Sequence, residues 1–116
     1  MANPFAVSKE DRAGVAWLSV TGEIDQDVSA CLATFLTNAV TQPGVTEVVV
    51  DLRHVTFLAA AGVRALLSGH EAATGRGCAY RVVNAYGLVR EVLVISASLS
   101  LLSPAPDPQL SEAAAR

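Results

Sequence analysis

The spacing of hydrophobic positions changes repeatedly along this chain, and each change predicts the boundary of an element. Phe5 to Val7 reads as a short edge strand. Asp11-Arg12-Ala13-Gly14 supplies turn chemistry, and Val15 to Val20 (VAWLSV) is a second strand that Thr21-Gly22-Glu23-Ile24-Asp25 brings to an end. From Val28 the apolar positions are Val28, Cys31, Leu32, Phe35, Leu36, Ala39 and Val40, a helical stripe. Asp25 or Asp27 suits its start and Gln42-Pro43-Gly44 its stop. Val48-Val49-Val50, followed by Asp51 and Leu52, is continuous and β-branched, as expected of a central strand buried on both faces.

The next stretch, VTFLAAAGVRALL from Val55 to Leu67, is the unusual one. An apolar β-like run ends, three alanines and Gly62 follow, and a helical pattern begins with Val63, Leu66, Leu67 and His70 on one stripe. Such a junction is a favoured place for polar chemistry, because a helix start offers unpaired N–H groups and the positive end of a dipole. Here it carries no polar side chain. Gly75-Arg76-Gly77 closes this helix, Cys78 to Val83 is another strand, and Tyr86 to about Leu102 forms a last helix. The tail after Ser103 is rich in Pro and Ala, so the expected organisation is one domain over residues 1–103 and a flexible tail over 104–116.

The order β-β-α-β-α-β-α implies an α/β fold, with a small, mostly parallel sheet covered by helices. In such sheets ligands and partners meet the carboxyl ends of the strands, and both Asp25 and the alanine run lie there. The composition, 52% hydrophobic and 16% charged in 116 residues, fits one globular domain. A formal charge of −3 speaks against nucleic acid as partner, which would demand clustered Lys and Arg. No apolar run approaches the roughly 20 residues of a membrane span, and MANPFAVSKED shows no basic region followed by an apolar stretch, so a secretory signal is not expected. The expected location is the cytoplasm, without direct membrane insertion.

Enzyme chemistry finds no foothold. Cys31 lies on the helical stripe and reads as a core thiol, and Cys78 opens a strand and reads as packing. His70 reads as a half-buried helix residue, and His54, after Arg53, as a solvated residue of a strand-end loop. Two His and two Cys without CxxC or HxxxH spacing make no metal site. The glycines form neither GxGxxG nor a P-loop, so no cofactor is expected. Asp51 reads as an acceptor of backbone hydrogen bonds. For Asp25, capping a helix and touching a partner carry equal weight.

The combination of GEID at Gly22 to Asp25, VVVDLRHVTF at Val48 to Phe57, and the following Gly62 resembles the STAS domain, and within it the bacterial anti-sigma-factor antagonists. The resemblance runs from about Phe5 to Leu102. It implies a small mixed sheet with one antiparallel edge, and a non-catalytic protein that works by partner switching. The implied partner is a kinase-like anti-sigma factor, which phosphorylates the antagonist on a serine of the pattern Asp-Ser-Ser-Gly and so breaks the complex. That pattern falls on Ala59-Ala60-Ala61-Gly62: the aspartate on Ala59, the phosphoacceptor on Ala60, the second hydroxyl on Ala61, with Gly62 alone kept. By resemblance, partner contact involves Gly22, Glu23, Asp25, Ala59, Ala60, Ala61, Gly62 and Arg64, with no phosphorylation at Ala60.

A phosphate at position 60 would bring about −1.5 to −2 charge to a helix start, and alanine takes none of it. The helix is expected to lack a capping side chain, at a cost of about 0.5–2 kcal/mol. Antagonists commonly carry Thr-Gly where this chain has Ser96-Ala97. STAS domains also serve as scaffolds of sensory complexes and as cytoplasmic subunits of lipid or anion transporters, which is the second reading.

Overall fold

The computed structural model describes residues 4–96 and Leu102. Its elements run β1 (Ala6–Arg12), β2 (Val15–Ile24), α1 (Gln26–Thr41), β3 (Glu47–Leu58), α2 (Ala60–Arg76), β4 (Ala79–Val83) and α3 (Gly87–Ile95). The tail expected over residues 104–116, and the continuation of the last helix past Ser96, lie outside the described residues. Leu102 is the exception, being helical and fully buried.

The strands form one sheet in the order β1-β2-β3-β4. β1 pairs antiparallel with β2, and β2, β3 and β4 run parallel. Both parallel crossovers step the same way across the sheet, so right-handed connections place α1 and α2 on one face. The core agrees: Ala16, Leu18, Val20, Val48, Val50, Leu52, Tyr80 and Val82 from the sheet join Leu32, Leu36, Leu66, Val89 and Leu93 from the helices in a single cluster.

Among the described residues the helices cover one face of the sheet, yet Val48, Val49 and Val50 are all fully buried, as expected of a central strand buried on both faces. Val48 and Val50 face the helices, whereas Val49 points the other way and is absent from that cluster. Val49 is nonetheless 0% exposed, because Trp17 and Arg81 flank it in register on the neighbouring strands. The Arg81 guanidinium also pairs with Glu47 at 2.9 Å across that open face.

Three strands run longer than their hydrophobic pattern announces. β1 continues through Ser8–Arg12, whose exposed side chains carry no periodic signal but whose backbone pairs with Val15 to Ser19. Its charges suit an edge strand, where they discourage pairing with another chain. The turn shrinks to Ala13 and Gly14, with φ of 52° and 85°, the two left-handed positions of a type I′ hairpin. β2 keeps a strict half-buried and buried alternation to Ile24.

β3 absorbs the expected strand-end loop. Between Ser19↔Asp51 and Thr21↔His54, and again between Gly22↔Val55 and Glu23↔Phe57, β3 contributes one residue more than β2. Two bulges thus bend the strand and replace alternation by a spacing of three, with Leu52, Val55 and Leu58 buried. His54 sits inside this strand, exposed, and not in a loop.

α1 buries Leu32, Leu36, Ala39 and Val40, a narrower stripe than its apolar positions suggest. Cys31 is exposed, not a core thiol, and Phe35 is 42% exposed. With helices on one side of the sheet, the outer flank of α1 has nothing to pack against among the described residues. In α2 the buried row is Gly62, Val63, Ala65, Leu66, Gly69 and Ala73, mostly small residues that let the helix approach the sheet and α1 closely. A Cβ at Gly69 would lie 2.6 Å from the Tyr80 hydroxyl, which donates to the Leu66 carbonyl at 2.8 Å. His70 is half-buried, edge-on to the Tyr80 ring.

Candidate functional site

The last rungs between β2 and β3 bring two helix starts side by side. Glu23 pairs with Phe57 and Ile24 with Leu58, and the Ala59 N–H then donates to the Ile24 carbonyl at 2.9 Å. Asp25 follows Ile24 and opens α1; Ala60 follows Ala59 and opens α2. The structure so gathers Asp25, Ala59, Ala60 and Ala61 at one rim, at the carboxyl ends of the parallel strands. Ala60 is exposed, and Asp25, Ala59 and Ala61 are half-buried.

Two glycines shape this rim from beneath. Gly22, buried at φ 92°, takes the left-handed backbone beside the second bulge that turns the end of β2. The Thr56 hydroxyl donates to its carbonyl at 3.4 Å. Gly62, also buried, lies where α2 meets both strands: a Cβ there would stand 2.6 Å from Leu58 Cδ1 and 2.7 Å from Ile24 Cγ2. Both glycines build the rim and do not line it. Glu23, half-buried, belongs to the strand end.

At the rim itself, Asp25 is the N-cap of α1, its Oδ1 accepting from the Val28 N–H at 3.2 Å. Ala59 is the N-cap of α2 and offers no side-chain bond. The Ala59 carbonyl takes the N–H groups of Gly62 and Val63 at 2.9 and 3.1 Å, which leaves those of Ala60 and Ala61 without an intrahelical acceptor. One turn on, Arg64 is exposed; its carbonyl accepts from the Ser68 hydroxyl at 3.0 Å, and its guanidinium makes no hydrogen bond or ion pair among the described residues.

Sequence reasoning missed the two depressions that flank α2. A cleft of about 490 Å³ between α2 and α3 is lined by Leu58, Val63, Leu67, Val92 and Ile95, together with Ala60, Arg64 and Ser96. The other runs between α1 and α2. A signal for the first existed in the last helix, where Val92, Leu93, Val94 and Ile95 exceed what one buried stripe requires.

Elsewhere, Asp51, which the sequence suggested as a strand end but which lies within β3, ties that strand to the loop after β4. Its Oδ1 accepts from the Arg53 N–H at 2.9 Å and from Asn84 Nδ2 at 3.1 Å. Burial raises the pKa of the Cys78 thiol, with nearby Glu47 adding to the shift. Among the described residues no cluster of His, Cys, Asp and Glu is placed to hold a metal ion, and no helix is long and apolar enough to cross a membrane.

A family model described as "Mlab, STAS domain" matches residues 6–100. The chain belongs to the STAS domain family. Solved STAS-type folds match over nearly its whole length. An anti-sigma factor antagonist from Mycobacterium paratuberculosis has 26% identity and a TM-score of 0.77, covering 96% of this chain and 93% of that one. The anti-sigma factor antagonist SpoIIAA in its unphosphorylated form has 18% identity and a TM-score of 0.73, covering 91% and 92%. The Bacillus cell fate determinant SpoIIAA in its phosphorylated form has 17% identity and a TM-score of 0.67, covering 96% and 100%. No curated protein sequence matches the chain. The STAS fold of this chain, with its mixed four-stranded sheet and helices on one face, is thus that of solved antagonists.

Proposed function

We propose that this STAS domain is a non-catalytic protein-binding module acting as an anti-sigma-factor antagonist in the cytoplasm. It binds a kinase-like anti-sigma factor through the rim that Asp25, Ala59, Ala60, Ala61 and Arg64 line, with Glu23 at the strand end and Gly22 and Gly62 shaping it from beneath. It does so without a phosphorylation switch, since Ala60 stands where the phosphoacceptor would be. The observation that carries this reading is the uncapped, apolar start of α2 beside the capped start of α1, on a fold shared with antagonists. Methyl groups at positions 59–61 dock against a partner without a desolvation penalty, and no phosphate can enter there to drive the partner off.

The test is a pull-down and mass spectrometry with a purified kinase-like anti-sigma factor from the source organism, with and without ATP. Position 60 stays unmodified and the complex stays intact. Ala60→Glu weakens the complex, because a carboxylate pressed against the partner loses its water. Ala60→Ser binds nearly as before, and Ala59→Asp with Ala60→Ser together take up phosphate. Undiminished binding by Ala60→Glu contradicts the reading.

Membership of the STAS family also supports a second reading, as a scaffold or cytoplasmic subunit of a sensory complex or of a lipid or anion transporter. Co-purification with an ATP-binding-cassette ATPase in place of a kinase-like protein selects it.

A further inference from the structure

Helix α2 stands between two depressions of different chemistry. Toward α1 the lining is Gln26, Ser29, Ala30, Ala33 and Ser68, side chains that are small or polar. Toward α3 it is Leu58, Val63, Leu67, Val92 and Ile95, and the apolar surface runs on beyond the cleft, with Ile95 83% and Val94 49% exposed. Arg64 borders both depressions and is the one charged side chain in the lining of either.

We propose that the cleft between α2 and α3 receives an amphipathic helix of the protein partner, its apolar side chains in the cleft and a carboxylate on Arg64. This rests on the partner-binding reading and adds to it the chemistry that the partner must present. A groove between two helices, walled by branched apolar side chains, suits a third helix with anchors at i, i+4 and i+7. Charge complementarity decides the sign: an exposed guanidinium without a counter-ion among the described residues, at the edge of an apolar groove, selects an acidic residue.

The same geometry explains what an anion at position 60 does. Ala60 precedes Arg64 by four residues on α2, the spacing at which an acid and a following base pair along a helix. A carboxylate or phosphate at position 60 therefore takes Arg64 for itself and withdraws it from the partner. Alanine at this position leaves Arg64 permanently on offer.

Titration calorimetry of the full chain with the purified kinase-like anti-sigma factor tests this. Ile95→Asp and Arg64→Gln should each weaken binding by about tenfold or more, as anchors of an interface do. The loss from Ala60→Glu should be smaller in the Arg64→Gln background than in the native chain, because the part of it that comes from capturing Arg64 is already gone. Phe35→Ser, on the outer flank of α1, should leave affinity unchanged. Loss of binding in Ala60→Glu, with Ile95→Asp and Arg64→Gln unaffected, overturns the helix-in-cleft proposal and spares the partner-binding reading.

Absence of any complex with the anti-sigma factor sinks that reading instead, and the cleft is then judged with a synthetic probe. An amphipathic helix of about fourteen residues, with leucines on one side and a flanking Glu, is titrated into the isotope-labelled chain by amide NMR. Shifts confined to the cleft, and affinity about tenfold lower for the peptide with Lys in place of Glu, uphold the proposal. Shifts elsewhere, equal affinity of the two peptides, or a dimer of the chain that buries Ile95 overturns it.

Discussion

The two helices that begin side by side at the rim begin differently. α1 starts with Asp25 in extended backbone (φ −99°, ψ −174°), its carboxylate bonded to Val28 N–H and Asp27 adding negative charge to the first turn. α2 starts with Ala59 in nearly the same backbone (φ −82°, ψ 166°), without a side-chain bond and without an acid in its first turn. The backbone of a capped helix is thus present at both starts, and the capping group at one. What holds α2 in place is tertiary: the Ala59 N–H on the Ile24 carbonyl, and Gly62 closed onto Leu58 and Ile24.

If packing replaces capping at α2, the largest effect belongs to Gly62. Gly62→Ala forces a methyl to within 2.7 Å of both Leu58 and Ile24, and is expected to destabilise by about 1–3 kcal/mol in denaturant melts. Gly75→Ala, where a Cβ meets nothing within 4 Å, serves as the contrast and should stabilise by roughly 0.5–1 kcal/mol. An equal response to the two changes would deny that close approach fixes the start of α2.

Farther along α2 the anchor is Tyr80, whose hydroxyl burial pushes well above the ordinary tyrosine range. A raised folded pKa means that stability is fully present below the unfolded value and is lost as pH rises past it. Above about pH 10 the fold should lose about 1.4 kcal/mol per pH unit through this group. Tyr80→Phe should flatten that alkaline slope while losing the bond to Leu66. An unchanged slope would place the titration elsewhere.

The caps themselves should respond as mirror images. Asp25→Ala is expected to cost about 1 kcal/mol, seen as a lower denaturation midpoint. Ala59→Asp should return about 0.5–1 kcal/mol, because the extended backbone at Ala59 already presents a cap position to the N–H groups of the first turn. No gain from Ala59→Asp would show that the methyl surface contributes packing that an acid cannot match.

Much of this was legible in the residues. The β-branched run at Val48 to Val50, the periodic Leu32-Leu36-Val40 row and the stop at Gln42-Pro43-Gly44 carry their own physics, so these elements could be read in place. The alanine run at a strand-to-helix junction was equally plain. What stayed hidden was geometry that depends on partners far along the chain. The length of β1 comes from pairing with β2, and the bulges of β3 from a register that no local pattern encodes. Cys31 and Phe35 share the periodicity of buried residues, yet their exposure follows from which side of the sheet the helices take.

The amino-acid sequence by itself determined the element types, the parallel order and the absence of a hydroxyl at position 60, because each rests on local spacing or on the identity of one residue. The tertiary structure decided that both crossovers land on one face, that Asp25 and Ala59 become neighbours, and that Arg64 stands at the edge of an apolar cleft. The reason is register and handedness: residues more than thirty positions apart meet because β2 and β3 pair to their last rung, at Ile24 and Leu58.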